Sequence, residues 1–118
     1  MRDHTKLRAF ELADDLAVLI YKITMKFPKE ELYGLTSQMR RAAVSVPSNI
    51  VEGCARSSQA EYGRFLEMAF GSLRELNYQF SLSVRLGYTN LQETISKDCN
   101  SKLMETLKVL SALFRKMR

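Results

Sequence analysis

The stretch RRAAVSVPSNIVEG, Arg40 to Gly53, decides how this chain is read. It places a proline, two serines and an asparagine inside a segment whose apolar residues keep helical spacing. On a wheel of about 100° per residue with Met39 at zero, Met39, Ala43, Val46 and Ile50 form one apolar stripe. Arg41, Ser45, Ser48 and Glu52 lie nearly opposite, and Val44, Pro47 and Val51 form a second apolar strip between the two. Pro47 cannot donate to the carbonyl of Ala43, a loss of about 3 kcal/mol in a helix interior unless a kink is compensated. Ser45, Ser48 and Asn49 are small polar groups within reach of freed carbonyls. The unbroken phase of Val46 and Ile50 favours one kinked helix. A break, with Ser45 capping a new helix that carries Pro47 in its early turn, is the alternative. Two uses of the segment stand side by side. Ala42, Ala43 and Ser45 can pack closely on Gly71 and Ser72, or the opening can serve as a polar site or a contact between copies.

Periodicity extends outward from this segment. A first helix is predicted from about Thr5 to Lys26, with Leu12, Leu16, Leu19, Ile20, Ile23 and Phe27 on one face. Pro28 and Gly34 end it. The second begins near Thr36 or Ser37, either able to cap it, and closes near Gly53. Ser58 with Glu61 three residues on is a capping box for a third helix reaching Leu86, with Tyr62, Leu66, Ala69, Leu73, Leu76, Phe80 and Val84 as its core stripe. Gly87 suits the left-handed position past its end. A fourth helix is predicted from Leu91, carrying Ile95, Cys99, Leu103, Thr106, Leu110, Phe114 and Met117. Strand signals, repeats and linkers are missing. Short connections make an all-α, antiparallel up-down-up-down four-helix bundle the economical fold, in one domain over residues 1–118.

Composition narrows the function. Apolar residues at 46% and charged residues at 26% are those of a soluble globular protein. The longest uncharged run, AAVSVPSNIV, is about half the roughly 20 residues that a membrane span needs. The mixed charges of MRDHTKLRAFELADD do not form a secretory signal, so a cytoplasmic protein with no membrane partner is expected. Cys54 and Cys99 belong to no C-x-x-C pair and read as buried free thiols. The single histidine, His4, lies in a charged tail, and no phosphate-cradling glycine loop is present. No metal, cofactor, small-molecule substrate or enzymatic activity is expected. An enzyme built on Arg41, Asn49, Glu52 and Glu75 is the remote alternative.

The net charge of +5 is uneven: residues 1–34 carry six basic and six acidic side chains, residues 87–118 six and three. Lys97, Lys108 and Arg115 share one outward face of the fourth helix with Met104 between them, and Arg118 follows. This is either an ordinary solvated face or a phosphate-binding one. Basic residues there also suit the helix dipole. Arg40, Arg41 and Arg56 are the next candidates. Aromatic stacking partners are scarce, Phe114 reading as core, so contacts tolerant of base sequence are expected. The third helix carries Phe65, Met68, Leu82 and Leu86 on a side away from its core stripe. With Val44, Pro47 and Val51, this second apolar side implies self-association, since exposed apolar patches are rare on monomers.

The blocks YGLTSQMRRAAVSVPSNIVEG, EYGRFLEMAFGSLRELNYQF and LGY resemble the bacterial four-helix bundle family first named for proteins encoded in intervening sequences of large-subunit ribosomal RNA genes. The resemblance covers almost the whole chain and rests on Arg40, Arg41, Ser45, Pro47, Ser48, Asn49, Glu52 and Gly53. Val46 and Val51 stand where that family often has isoleucine and alanine, and Cys54 where an aromatic is common. The resemblance implies a ring-shaped homo-oligomer, commonly a homopentamer, without established enzymatic activity. The chain is also similar to the accessory variability determinant of diversity-generating retroelements, a basic pentameric bundle that binds nucleic acid and a reverse transcriptase. That similarity implies an RNA- or DNA-binding accessory protein or a ribonucleoprotein partner. The alternative is a protein-interaction scaffold without nucleic-acid binding.

Overall fold

A computed structural model of the protein describes residues 2–117, which form four α-helices and, among these residues, no strand. They are α1 Arg8–Thr24, α2 Leu35–Cys54, α3 Gln59–Arg85 and α4 Thr94–Lys116, with short 3₁₀ turns at His4–Lys6 and Lys29–Glu31. α1 packs on α2 and α4, and α3 packs on α2 and α4, so each helix has two neighbours around one apolar core. At about 1.5 Å per residue the 27 residues of α3 span about 40 Å, which sets the long dimension of the 43 × 26 × 21 Å molecule.

The core is the set of apolar stripes read from periodicity. Leu12, Leu16, Ile20, Met39, Val46, Ile50, Leu66, Leu73, Leu76, Cys99, Leu103 and Leu110 are fully enclosed, while Leu19, Val84, Ile95, Phe114 and Met117 are half-buried at its edges. Both thiols are free and buried, and burial pushes Cys99 up to about 12, which leaves it a neutral core side chain. His4 packs edge-on against Phe10, with ring centroids 4.7 Å apart.

Pro47 lies inside a continuous α2, so the helix does not break. The Asn49 amide donates to the Ser45 carbonyl at 2.9 Å and to its hydroxyl at 3.0 Å, and that hydroxyl meets Ser72 Oγ of α3 at 2.8 Å. Close packing of α2 on α3 is real at Ser72. It does not involve Gly71, which is exposed and where, among the described residues, no neighbouring element comes within 4 Å of the place a Cβ would take. Gly53 provides the other close approach, since a Cβ there would sit 2.8 Å from Phe65 Cβ. Pro47→Ala is expected to leave helix content unchanged in circular dichroism and to raise the melting temperature, because the bond to the Ala43 carbonyl is regained without a break to heal.

The ends of the helices correct the sequence reading in three places. α1 starts at Arg8, since Thr5 is held in a separate turn by Asp3, whose carboxylate accepts from the Thr5 backbone at 3.0 Å. Neither Thr36 nor Ser37 caps α2. Glu31 reaches across the connection to accept from Leu35 N–H at 3.0 Å, and its other oxygen accepts from the Tyr88 hydroxyl at 3.0 Å. α4 begins at Thr94, because Leu91–Glu93 belong to a turn in which Asn90 accepts from Gln92 N–H. Two caps fall where expected. Ser58 accepts from Glu61 N–H at 3.1 Å. At the end of α3, Gly87 takes φ of 80° while Tyr88 and Gly87 donate to the carbonyls of Ser83 and Val84, a Schellman closure.

Candidate nucleic-acid interface

α4 positions Lys97, Met104, Lys108 and Arg115 on its solvent side, where all four are exposed. With Leu103 at zero on the wheel they fall at about 100–140°, while Glu105 and Asp98 fall at about 200–220°. The acidic flank faces α1. Glu105 accepts from Arg8 at 2.7 Å, a bond that raises the Arg8 pKa, and Lys102 lies 3.7 Å from Asp15. Among the described residues Lys97, Lys108 and Arg115 join no ion pair, so their charge is directed outward. Arg118 lies outside the described residues.

α3 adds to this face, which the sequence alone did not disclose. Phe70 stacks on Phe114 with centroids 5.8 Å apart, fixing the flank of α3 that meets α4. Arg74, Tyr78 and Arg85 lie on the outer edge of that flank and are exposed. Arg85 lines a groove of about 210 Å³ with Asn77, Ser81 and Asn100, which ties it to α4. Tyr78 is 60% exposed, and the Arg85 guanidinium lies 6.0 Å from the centre of its ring. Five cations and an open aromatic ring therefore surround the α3–α4 seam, with one exposed carboxylate, Glu67, on the same strip of α3 two turns before Arg74. The signal available in sequence was the spacing of Arg74, Tyr78 and Arg85. It means nothing until the rotation of α3 against α4 is known.

The other named residues lie elsewhere. Arg40 is half-buried between α1 and α2, donating to Thr24 Oγ1 at 2.9 Å and stacking over Tyr21 at 4.7 Å. Arg56 lies over Phe65 at 4.9 Å and 3.5 Å from Glu52. Arg41 is exposed at a groove between α2 and α3. Because Arg40 touches α1 and Ser45 touches α3, the strip of Val44, Pro47 and Val51 lies on the α1 side of α2, beside the exposed Val18, Tyr21 and Met25. Met68 is exposed on α3, whereas Phe65 and Leu82 are half-buried. The set of Arg41, Asn49, Glu52 and Glu75 is not brought together as one cluster: Asn49 serves Ser45 and Glu52 neighbours Arg56. Among the described residues no group of histidine, cysteine and carboxylates could hold a metal, and no helix is long and apolar enough to cross a membrane.

Four helices around one apolar core, with a proline carried inside α2 and a polar stripe beside it, define a small all-α four-helix protein. Within that class the chain belongs to the 23S rRNA-intervening sequence protein family, which matches it over residues 5–112. No curated protein matches the chain.

Proposed function

We propose that this protein is a non-catalytic accessory protein that binds nucleic acid, mainly through phosphates, on the α3–α4 face. The observation that carries the reading is the convergence of Lys97, Lys108 and Arg115 with Arg74 and Arg85 around an exposed Tyr78, away from the acidic flank of α4. Lysines and arginines without ion-pair partners neutralise phosphates and release condensed counterions. An exposed aromatic ring beside them offers a stacking surface for one base of a single strand, indifferent to its identity. The family's link to 23S rRNA intervening sequences supports an RNA context, and the sequence's resemblance to a retroelement accessory protein suggests a ribonucleoprotein or reverse-transcriptase partner. The same likeness supports helices running up-down-up-down and copies assembling into a ring, for which the exposed strips of α1, α2 and α3 supply apolar surface.

Fluorescence anisotropy with labelled single-stranded RNA and DNA of unrelated sequences tests the reading. Wild type is expected to bind all of them with affinity that falls steeply with salt. Tyr78→Ala should weaken single-strand binding by the loss of one stacking contact, about 1–3 kcal/mol, and leave duplex binding unchanged. No binding at low salt would transfer the family role to protein partners alone.

A further inference from the structure

The groove between α2 and α3 has no part in the basic face, yet it is built. It encloses about 310 Å³ and is lined by Gln38, Arg41, Ser45, Ser72, Glu75 and Gln79. Gln79 is only 5% exposed, and its side-chain oxygen has no hydrogen-bond partner among the described residues. A buried acceptor without a donor is costly to leave so, and native proteins rarely do. Glu75, one turn away on the same face of α3, is an exposed carboxylate that also joins no ion pair among the described residues. Arg41 stands on the opposite wall, exposed, and bonds to neither of them.

The missing occupant must donate hydrogen bonds, since Glu75 and the Gln79 oxygen only accept. A phosphate is therefore repelled here. A guanidinium fits, because its five N–H groups can serve a carboxylate and an amide oxygen a helical turn apart. The surface around the groove carries that donor as well as its acceptors, and exposed apolar side chains lie along the same side of α3, Met68 before the groove and Leu86 after it. Two copies of the chain are thus complementary in charge without any third component. We infer that Arg41 of one copy enters the α2–α3 groove of the next, donating to Glu75 and to the buried oxygen of Gln79. This contact rests on the self-association proposed above and names its polar centre. The apolar strips supply area, and the arginine sets which way two copies meet, as buried polar groups do in other assemblies.

Charge-reversed variants test it. Arg41→Glu and Glu75→Arg, both at exposed positions, should each keep wild-type helix content in circular dichroism and lose the oligomer mass measured by light scattering after size exclusion. Mixed one to one, they should associate with each other, because every contact between the two variants pairs opposite charges. The milder Arg41→Gln and Glu75→Gln should raise the dissociation constant about 10- to 100-fold, the value of a hydrogen bond to a charged group. Retention of the wild-type mass by the charge-reversed variants overturns the inference while self-association stands. So does their failure to associate when mixed, which would mean that Arg41 and Glu75 pair within one chain. A wild type that stays at the 13.6 kDa of a single chain removes self-association and this contact together.

Discussion

Reversing Lys108 and Arg115 to glutamate is expected to lower affinity for RNA and DNA of every sequence by about tenfold or more, without unfolding the protein. Both side chains are exposed and join no ion pair among the described residues, so their reversal removes no internal contact. Their neighbours across the seam, Arg74 and Arg85, would then face carboxylates that compete with phosphate for them. Each contact with phosphate contributes roughly −0.7 to −0.9 to the slope of log affinity against log salt, so the double variant should flatten that slope by about 1.5. Anisotropy titrations of both proteins at two salt concentrations measure it. A slope and affinity equal to wild type would clear the α3–α4 face of the role. Arg41 would be the next residue to test, because the Arg40 and Arg56 guanidiniums are occupied by Thr24 and Tyr21 and by Glu52 and Phe65.

Two glycine-to-alanine changes should move stability in opposite directions. At Gly53 the added methyl would meet Phe65 Cβ at 2.8 Å and Tyr62 Cδ1 at 3.3 Å, and neither atom is the free end of a flexible chain. Separating α2 from α3 there costs about 1–3 kcal/mol. The opposing helix-propensity gain of up to about 1 kcal/mol is reduced because Gly53 is one residue from the end of α2. Gly71, in the middle of α3, is exposed with nothing within 4 Å of its added methyl, so the propensity gain is realised in full. Gly53→Ala should lower the melting temperature by several degrees, and Gly71→Ala should raise it by a few, about 0.5–1 kcal/mol. Thermal denaturation followed by circular dichroism separates the two. Equal shifts at both sites would mean that α2 and α3 are not in close contact at Phe65.

Both predictions depend on different depths of reading. The apolar stripes of Leu12 to Phe27, Met39 to Ile50, Tyr62 to Phe80 and Cys99 to Leu110 were legible because burial of one helix face imposes a 3.6-residue period on the sequence. Ser58 and Gly87 were legible because caps act within a few residues of the group they satisfy. The start of α2 was not. Its cap comes from Glu31, which belongs to the preceding connection and is itself held by Tyr88 from the turn after α3.

The candidate interface divides in the same way. The stripe of Lys97, Lys108 and Arg115 lies on one helix, and wheel geometry alone brings it together. Arg74, Tyr78 and Arg85 join it only because Phe70 meets Phe114 and sets the rotation of α3 against α4. Arg40 and Arg41 are adjacent in sequence, yet one is spent on Thr24 and Tyr21 while the other borders an open groove. A step of about 100° per residue puts them on different sides of α2, and which side meets a neighbour is decided by packing. For this protein the sequence by itself determined four helices, their core faces and the proline carried within the second. The tertiary structure alone decided which outward residues converge and that the Gln79 oxygen is buried with no donor among the described residues, since both depend on contacts between residues far apart in the chain whose geometry no local pattern encodes.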